Sequence, residues 1–230
     1  QRPKQLWSHD HPLTPYQVWA VYRMALRQLN LFFEGRQRSN SCRKTSACTQ
    51  EKETQSPIFW ECPCAVACWK RLARHWGGAD VTDSGLLGYR EYCAARQAPP
   101  IPDSLKRRVA LTAGSCAAKH EDTLKRLWRV LATVCSTTQW MERNRLIFEG
   151  EPTSVEQSCV EFRVTGVRQL KAIARRDKMS PQTVEQGKLM EDCIDSFLLI
   201  LEQPGQVRVS SMQLPRESPL VVMMKSSLGF

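Results

Sequence analysis

Apolar residues recur at helical spacing along most of the chain. Thr14-Pro15 opens the first such segment: the threonine is a capping residue and proline suits the first helical turn. Val18, Tyr22, Leu26 and Leu29 then line one side of it. Ala65, Cys68, Trp69, Leu72 and Trp76 fall on one face of a helix over 64–76, which Gly77-Gly78 ends. A short helix is expected near 89–96. Ala98-Pro99-Pro100-Ile101-Pro102 is extended because proline blocks helix there, and a short basic helix follows from 102 to 111. The longest candidate covers 121–148, with Leu124, Leu127, Trp128, Leu131, Val134 and Cys135 as its stripe and Gly150 and Pro152 closing it. Thr153 or Ser154 caps the next helix. Val155, Cys159, Phe162, Leu170 and Ile173 share its buried face, while Arg163, Arg168, Lys171, Arg175 and Arg176 make its other side basic. Ser180-Pro181 starts a last helix with Met190, Ile194, Phe197, Leu198 and Leu201 as its stripe, and Pro204-Gly205 stops it. No period persists from 206 onward, so a loose tail is expected, with residues 220–224 as a candidate strand. The expected fold class is mainly α.

The chain has 230 residues, 42% of them hydrophobic, enough for a sizeable core in one or two domains. No run of 18 apolar residues occurs, so no membrane span is expected. Residues 1–10 are polar with one tryptophan and lack the apolar core of a signal peptide, which places the protein inside the cell, in nucleus or cytoplasm. The formal net charge of +10 directs attention to polyanionic partners. Residues 1–78 are the most basic part, with 12 Lys or Arg against 5 Asp or Glu. Five of the ten cysteines, Cys42, Cys48, Cys62, Cys64 and Cys68, crowd into one stretch. Without a secretory signal that crowding points to metal ligands or buried thiols and not to disulfides.

The stretch from Cys48 to Trp69 resembles the zinc-binding domain at the C-terminal end of reverse transcriptases from non-LTR retrotransposons. That family carries a Cys-x-x-Cys pair, then Glu-Thr, a His three residues on, a short apolar run, a last Cys and a Trp. Here Cys48 matches the second cysteine and Glu53-Thr54 the acidic-Thr pair. Ile58-Phe59-Trp60-Glu61-Cys62-Pro63 matches the run into the last ligand, and Trp69 the tryptophan. Thr45 stands where the first cysteine belongs and Pro57 where the histidine belongs, and neither supplies a good zinc donor. The helix starting near Val18 resembles the one that precedes the motif. A second match lies far downstream: Trp140-Met141-Glu142-Arg143-Asn144-Arg145-Leu146-Ile147-Phe148 is similar to the family's Trp-x-x-Arg-Asn-x-x-x-Phe helix end.

The resemblance implies a small zinc-finger-like helical lobe followed by a helical extension. The expected organisation is a zinc-binding-like domain over 1–78, a linker over 79–102, a helical extension over 103–205 and a flexible tail over 206–230. It also implies a fragment, since Gln1 is not a start residue and the polymerase lies upstream in the family. Zinc is the implied cofactor, held by Cys48 and Cys62. Cys42, Cys64, Cys68 or His75 are the candidate substitutes for the missing donors, and with two donors replaced less than one equivalent of metal is expected. RNA or DNA is the implied partner. Arg36, Arg38, Arg43 and Lys44 in the loop before Cys48, with Lys70, Arg71 and Arg74 after it, are the candidate phosphate contacts. Trp60, Trp69 and Trp76 are candidates for base stacking, though their common apolar face favours packing.

No catalytic centre is expected. Polymerase chemistry needs paired carboxylates for two metal ions, and no Asp-Asp pair occurs in the chain. Gly-x-Ser-x-Gly, His-Glu-x-x-His and phosphate-cradling glycine loops are also missing, and no small-molecule substrate is indicated. The alternative reading is a helical protein–protein interaction module whose apolar stripes bind partner helices.

Overall fold

The central helix is α5, Glu121–Glu149, and the other elements are arranged on it. The computed structural model describes residues 12–29, 31, 42, 44–49, 53–114 and 117–201, and among these every regular element is helical. In chain order they are α1 (Pro15–Ala25), a π turn (Pro57–Glu61), α2 (Pro63–Gly77), α3 (Asp83–Ala94), α4 (Asp103–Ala113), a 3-10 turn (Ala117–His120), α5, α6 (Val155–Lys178) and α7 (Val184–Leu201). The protein is mainly α. The tail over 206–230 and its candidate strand lie outside the described residues.

The three longest apolar stripes explain the core. Trp69, Leu72 and Trp76 of α2, Leu124, Leu127, Trp128 and Leu131 of α5, and Phe162 and Leu170 of α6 are all buried. These three helices pack against one another pairwise. Burial of this kind contributes about 1.5–3 kcal/mol for each large apolar side chain and dominates the stability. Gly166 lets α6 approach α5: a Cβ there would stand 2.7 Å from Leu131 Cδ2. Trp76 and Trp128 meet edge to face at 5.0 Å, and Tyr89 of α3 adds a third ring 5.5 Å from Trp128.

α1 packs on α5. Its start is fixed by a capping box in which Gln17 N–H donates to Thr14 Oγ1 and Thr14 N–H donates to Gln17 Oε1. Gln17 and Gln169 of α6 also exchange side-chain amide bonds at 2.7 and 2.8 Å. The sequence pattern misplaces the inner face of α1. Val18 and Leu29 are buried as the stripe requires, but Tyr22 and Leu26 are exposed, the helix ends at Ala25, and Gln17 and Ala20 take their place inside. Arg27 adopts a positive φ of 55°, which turns the chain so that Leu29 reaches the cluster of Ile58, Phe59 and Trp140.

Two further boundaries differ from expectation. α3 begins at Asp83, several residues before the expected start, because Thr82 caps it through Gly85 N–H at 3.2 Å. Ser180-Pro181 forms a turn and does not cap a helix. Thr183 Oγ1 donates to Asp177 O there, and α7 starts only at Val184. Gly187 accounts for the tight junction, since a Cβ would lie 2.7 Å from Ala174 O.

The expected linker does not separate two bodies. Residues 79–102 contain α3, and Trp76 Nε1 donates to Pro100 O at 3.0 Å. α2, placed in the first domain by sequence, shares its core with α5 and α6 of the expected extension. The described residues of the stretch Gln1–Ile200 form one compact unit.

Candidate metal centre

Two separate segments converge to bring three sulfurs together. The first is the loop after α1. Cys48 N–H donates to Thr45 O at 3.0 Å, closing a tight turn, so Thr45 shapes the loop that carries Cys42 and Cys48. The second is the π turn. Pro57, where a histidine would stand in the family resembled, is buried, and its carbonyl accepts the Cys62 N–H at 2.8 Å. That bond from residue i to i+5 makes the turn wide and delivers Cys62 in extended conformation at the start of α2, with Pro63 at the first helical position. Trp69 Nε1 donates to Phe59 O at 2.7 Å and fixes the turn on α2.

The Sγ atoms of Cys42, Cys48 and Cys62 lie within 4.8 Å of one another. A tetrahedral zinc with bonds of about 2.3 Å to sulfur sets its ligands roughly 3.8 Å apart. Small side-chain rotations therefore close the triangle on a zinc-sized ion, and the donor set fits it. Cys42 and Cys62 are buried and Cys48 is half-buried, the most accessible of the three.

Hydrogen bonding favours the thiolate at Cys62. The Cys42 and Cys64 thiols both donate to its sulfur, and the Lys44 charge and the Cys64 amide N–H add to the effect, holding its pKa far below the ordinary thiol range. Cys42 and Cys64 are pushed up by donating to Cys62 and by burial. The backbone bonds repeat: Lys44 N–H donates to Cys42 sulfur as Cys64 N–H donates to Cys62. Peptide donors two residues after a cysteine stabilise a metal-bound thiolate as well as a free one.

The candidate substitutes divide. Cys42 joins Cys48 and Cys62. Cys64, fully buried on the first turn of α2, borders the triangle through Cys62. Cys68, one turn further along the same face, meets Cys135 and Cys159 in the three-helix core, where Gln139 Nε2 donates to its sulfur at 3.4 Å. His75 is buried elsewhere, with Arg108 3.3 Å from its Nδ1 and Phe197 against its ring.

Lys44 is not a surface phosphate contact. It is 1% exposed, its ammonium lies 3.3 Å from Glu142 and donates to Gln139 Oε1, and its carbonyl accepts Thr153 N–H at 2.9 Å. Burial opposes its charge, but Glu142 and then Cys62 and Cys64 outweigh that and hold its pKa up. Lys70 pairs with Asp83 at 2.6 Å and Arg74 with Asp80 at 3.3 Å, while Arg71 has no carboxylate partner among the described residues. Arg36, Arg38 and Arg43 lie outside the described residues. Trp69 and Trp76 are buried, and Trp60 is sandwiched between Trp69, at 4.4 Å, and the Arg90 guanidinium, at 5.7 Å. None of the three offers a free face to a base.

Sequence reasoning missed the charged supports of the site. Glu142 and Arg143 of α5 bind Lys44 and Glu53 of the cysteine-bearing segments. The signal was present, because Glu142-Arg143 falls inside the second family-like motif and Glu53 inside the first. No protein-family model matches the chain, and no curated protein or solved structure matches it. Among the described residues no helix is long and apolar enough to cross a membrane.

Proposed function

We propose that this chain is the C-terminal portion of a reverse transcriptase of the non-LTR retrotransposon kind. In this reading its zinc-binding-like lobe holds zinc through Cys42, Cys48 and Cys62 and engages nucleic acid, and the chain has no polymerase centre of its own. The observation that carries the metal part is the convergence of the three sulfurs from two segments. Cys42 replaces the donor lost at Thr45, and Cys64 is the nearest sulfur to take the place lost at Pro57. Zinc there would be structural, tying the loop at 42–48 to the start of α2. The resemblance of two distant motifs supports the retrotransposon origin. It gains weight because Glu53 of one and Arg143 of the other form a buried ion pair. The alternative of an interaction module built on apolar stripes is less supported, since the stripes of α2, α5 and α6 pack into the chain's own core.

The test is metal content after exhaustive dialysis against a weak chelator. One equivalent of zinc is expected for the full chain, with loss in Cys48→Ser and Cys62→Ser and retention in Cys159→Ser, whose thiol lies in the helical core. Equal zinc in all three variants, or none in the unaltered chain, overturns the metal site.

A further inference from the structure

A run of cations without carboxylate partners among the described residues lies on α6, away from the sulfurs. At 100° per residue Arg163, Arg168, Lys171 and Arg175 fall within an arc of about 140°, outside the buried arc made by Cys159, Phe162, Gly166, Leu170 and Ile173, with Arg163 at its border. Arg168, Lys171 and Arg175 are exposed and Arg163 is half-exposed. None of the four has a carboxylate partner among the described residues. The neighbouring acids are already taken: Glu161 by Arg145 at 3.0 Å, Asp177 by Arg126 and Arg176. Favourable interaction with the helix dipole explains cations in the last turn, such as Arg175. It does not explain Arg163, Arg168 and Lys171, which lie in the helix interior.

We propose that this outer face of α6 is the docking surface for the phosphodiester backbone of duplex nucleic acid. The proposal rests on the nucleic-acid part of the reading above and moves the contact from the loop before Cys48 to α6. Charge complementarity selects the partner. From Arg163 to Arg175 the helix rises about 18 Å, the axial rise of roughly five base pairs. The face holds Val164 and Val167 between its cations and no aromatic ring. It therefore provides no platform for stacking unpaired bases, which favours a duplex over a single strand.

The experiment is a salt titration of the full chain binding a labelled DNA duplex of about 20 base pairs, repeated with an RNA duplex and with single strands. Each phosphate neutralised contributes about 0.9 to the slope of log affinity against log salt. Arg168→Gln with Lys171→Gln should reduce the slope by about 1.8, and neutralising all four by about 3.6. Lys70→Gln with Arg74→Gln, whose charges are already paired, should leave the slope close to that of the unaltered chain. Gln keeps the helix, and circular dichroism checks that it does. An unchanged slope in the α6 variants while the parent binds duplex overturns this surface and leaves the nucleic-acid reading standing. Failure of the unaltered chain to bind any of the nucleic acids at low salt overturns both. Binding only to vesicles of phosphatidylcholine and phosphatidylserine, through the same four cations, also overturns the proposal.

Discussion

Arg143 grips Glu53 across ninety residues of sequence, with Nε 3.0 Å from Oε1 and Nη2 2.8 Å from Oε2. Both side chains are almost fully buried. Nη2 also donates to Leu31 O at 2.7 Å, and the guanidinium lies 5.1 Å from the centre of the Trp140 ring. One planar group thus ties α5 to the chain leaving α1 and to the chain entering the π turn. Its neighbour Glu142 holds Lys44. Two adjacent α5 residues of opposite sign fasten two loop residues of opposite sign, one on each side of Cys48.

Removing one partner of such a pair strands the other charge in the core. Arg143→Met should cost about 3–5 kcal/mol, read as a lower urea midpoint at unchanged slope. Glu53→Gln with Arg143→Met should recover part of that loss, because no charge is left unpaired. A single-variant cost within about 1 kcal/mol, the range of exposed pairs, would show that the bidentate pair does not hold the two motifs together.

Lys44 gives a prediction with a pH sign. Burial raises the Glu142 pKa, and the Lys44 ammonium partly offsets it. A carboxyl whose folded pKa lies above its unfolded value binds more protons when folded. Its contribution to stability is complete below about pH 4.3, the unfolded value, and falls as pH rises toward the folded pKa. Lys44→Met removes the offset and raises the folded pKa further. The urea midpoint of that variant should therefore fall more steeply with rising pH above about 4.3 than that of the parent. Lys44→Met with Glu142→Gln should lose the steeper fall, and a double variant as steep as the single would assign the effect to another group.

The fold was largely legible because its stripes are long. Stripes of a dozen or more residues of regular period determine the inner faces of α5 and α6, and all five residues that the spacing names in α2 are fully buried, with Cys64, Ala73 and His75 buried beside them. α1 was misread because its stripe is short and its capping residue Gln17 is held inward by Gln169, a contact no local pattern encodes. Proline in Ser180-Pro181 reads equally well as a helix start and as a turn, and Gly187 at the crowded end of α6 decides for the turn. At the candidate site the sequence named all three converging sulfurs, but Cys42 only as one substitute among several. Lys44 reads as a surface charge from the sequence because clustered basic residues in a loop are usually solvated. Its burial depends on Gln139 and Glu142, almost a hundred residues away.

Thiol chemistry separates the two groups of cysteines. Cys48 is the half-buried member of the sulfur triangle, whereas Cys68, Cys135 and Cys159 are buried in the helical core. Burial pushes the Cys135 thiol up, and Cys159 is raised by its contact with Cys68 and by burial. Thiolate is the reactive form. Iodoacetamide on the native metal-free chain should therefore modify Cys48 before the three core thiols. Zinc should suppress labelling at Cys48 and leave the core thiols as unreactive as before. Peptide mapping by mass spectrometry reads both, and labelling of Cys48 that zinc does not alter would count against coordination there.

His75 should make the fold acid-sensitive. Its ring is fully buried on α2, edge-on to Phe197 with centroids 4.6 Å apart, and its Nε2 has no hydrogen-bond partner. Burial, then the Arg108 charge, hold its pKa well below the usual histidine range. The folded chain therefore keeps the ring neutral where the unfolded chain takes up a proton. With the folded pKa depressed, its contribution is complete above the unfolded value of about 6.5 and is lost as pH falls toward the folded pKa. The loss is at most about 1.4 kcal/mol per pH unit. The urea midpoint should stay level from pH 8 to about 7 in this respect and decline from about 6.5 to 5, before most carboxylates titrate. His75→Gln keeps polar atoms for Arg108, which also donates to the backbone carbonyl of residue 75 and to Ser196 Oγ, but cannot take up a proton. That variant should start less stable and show a flatter profile below pH 6.5; a decline as steep as the parent's would place the acid sensitivity outside α2.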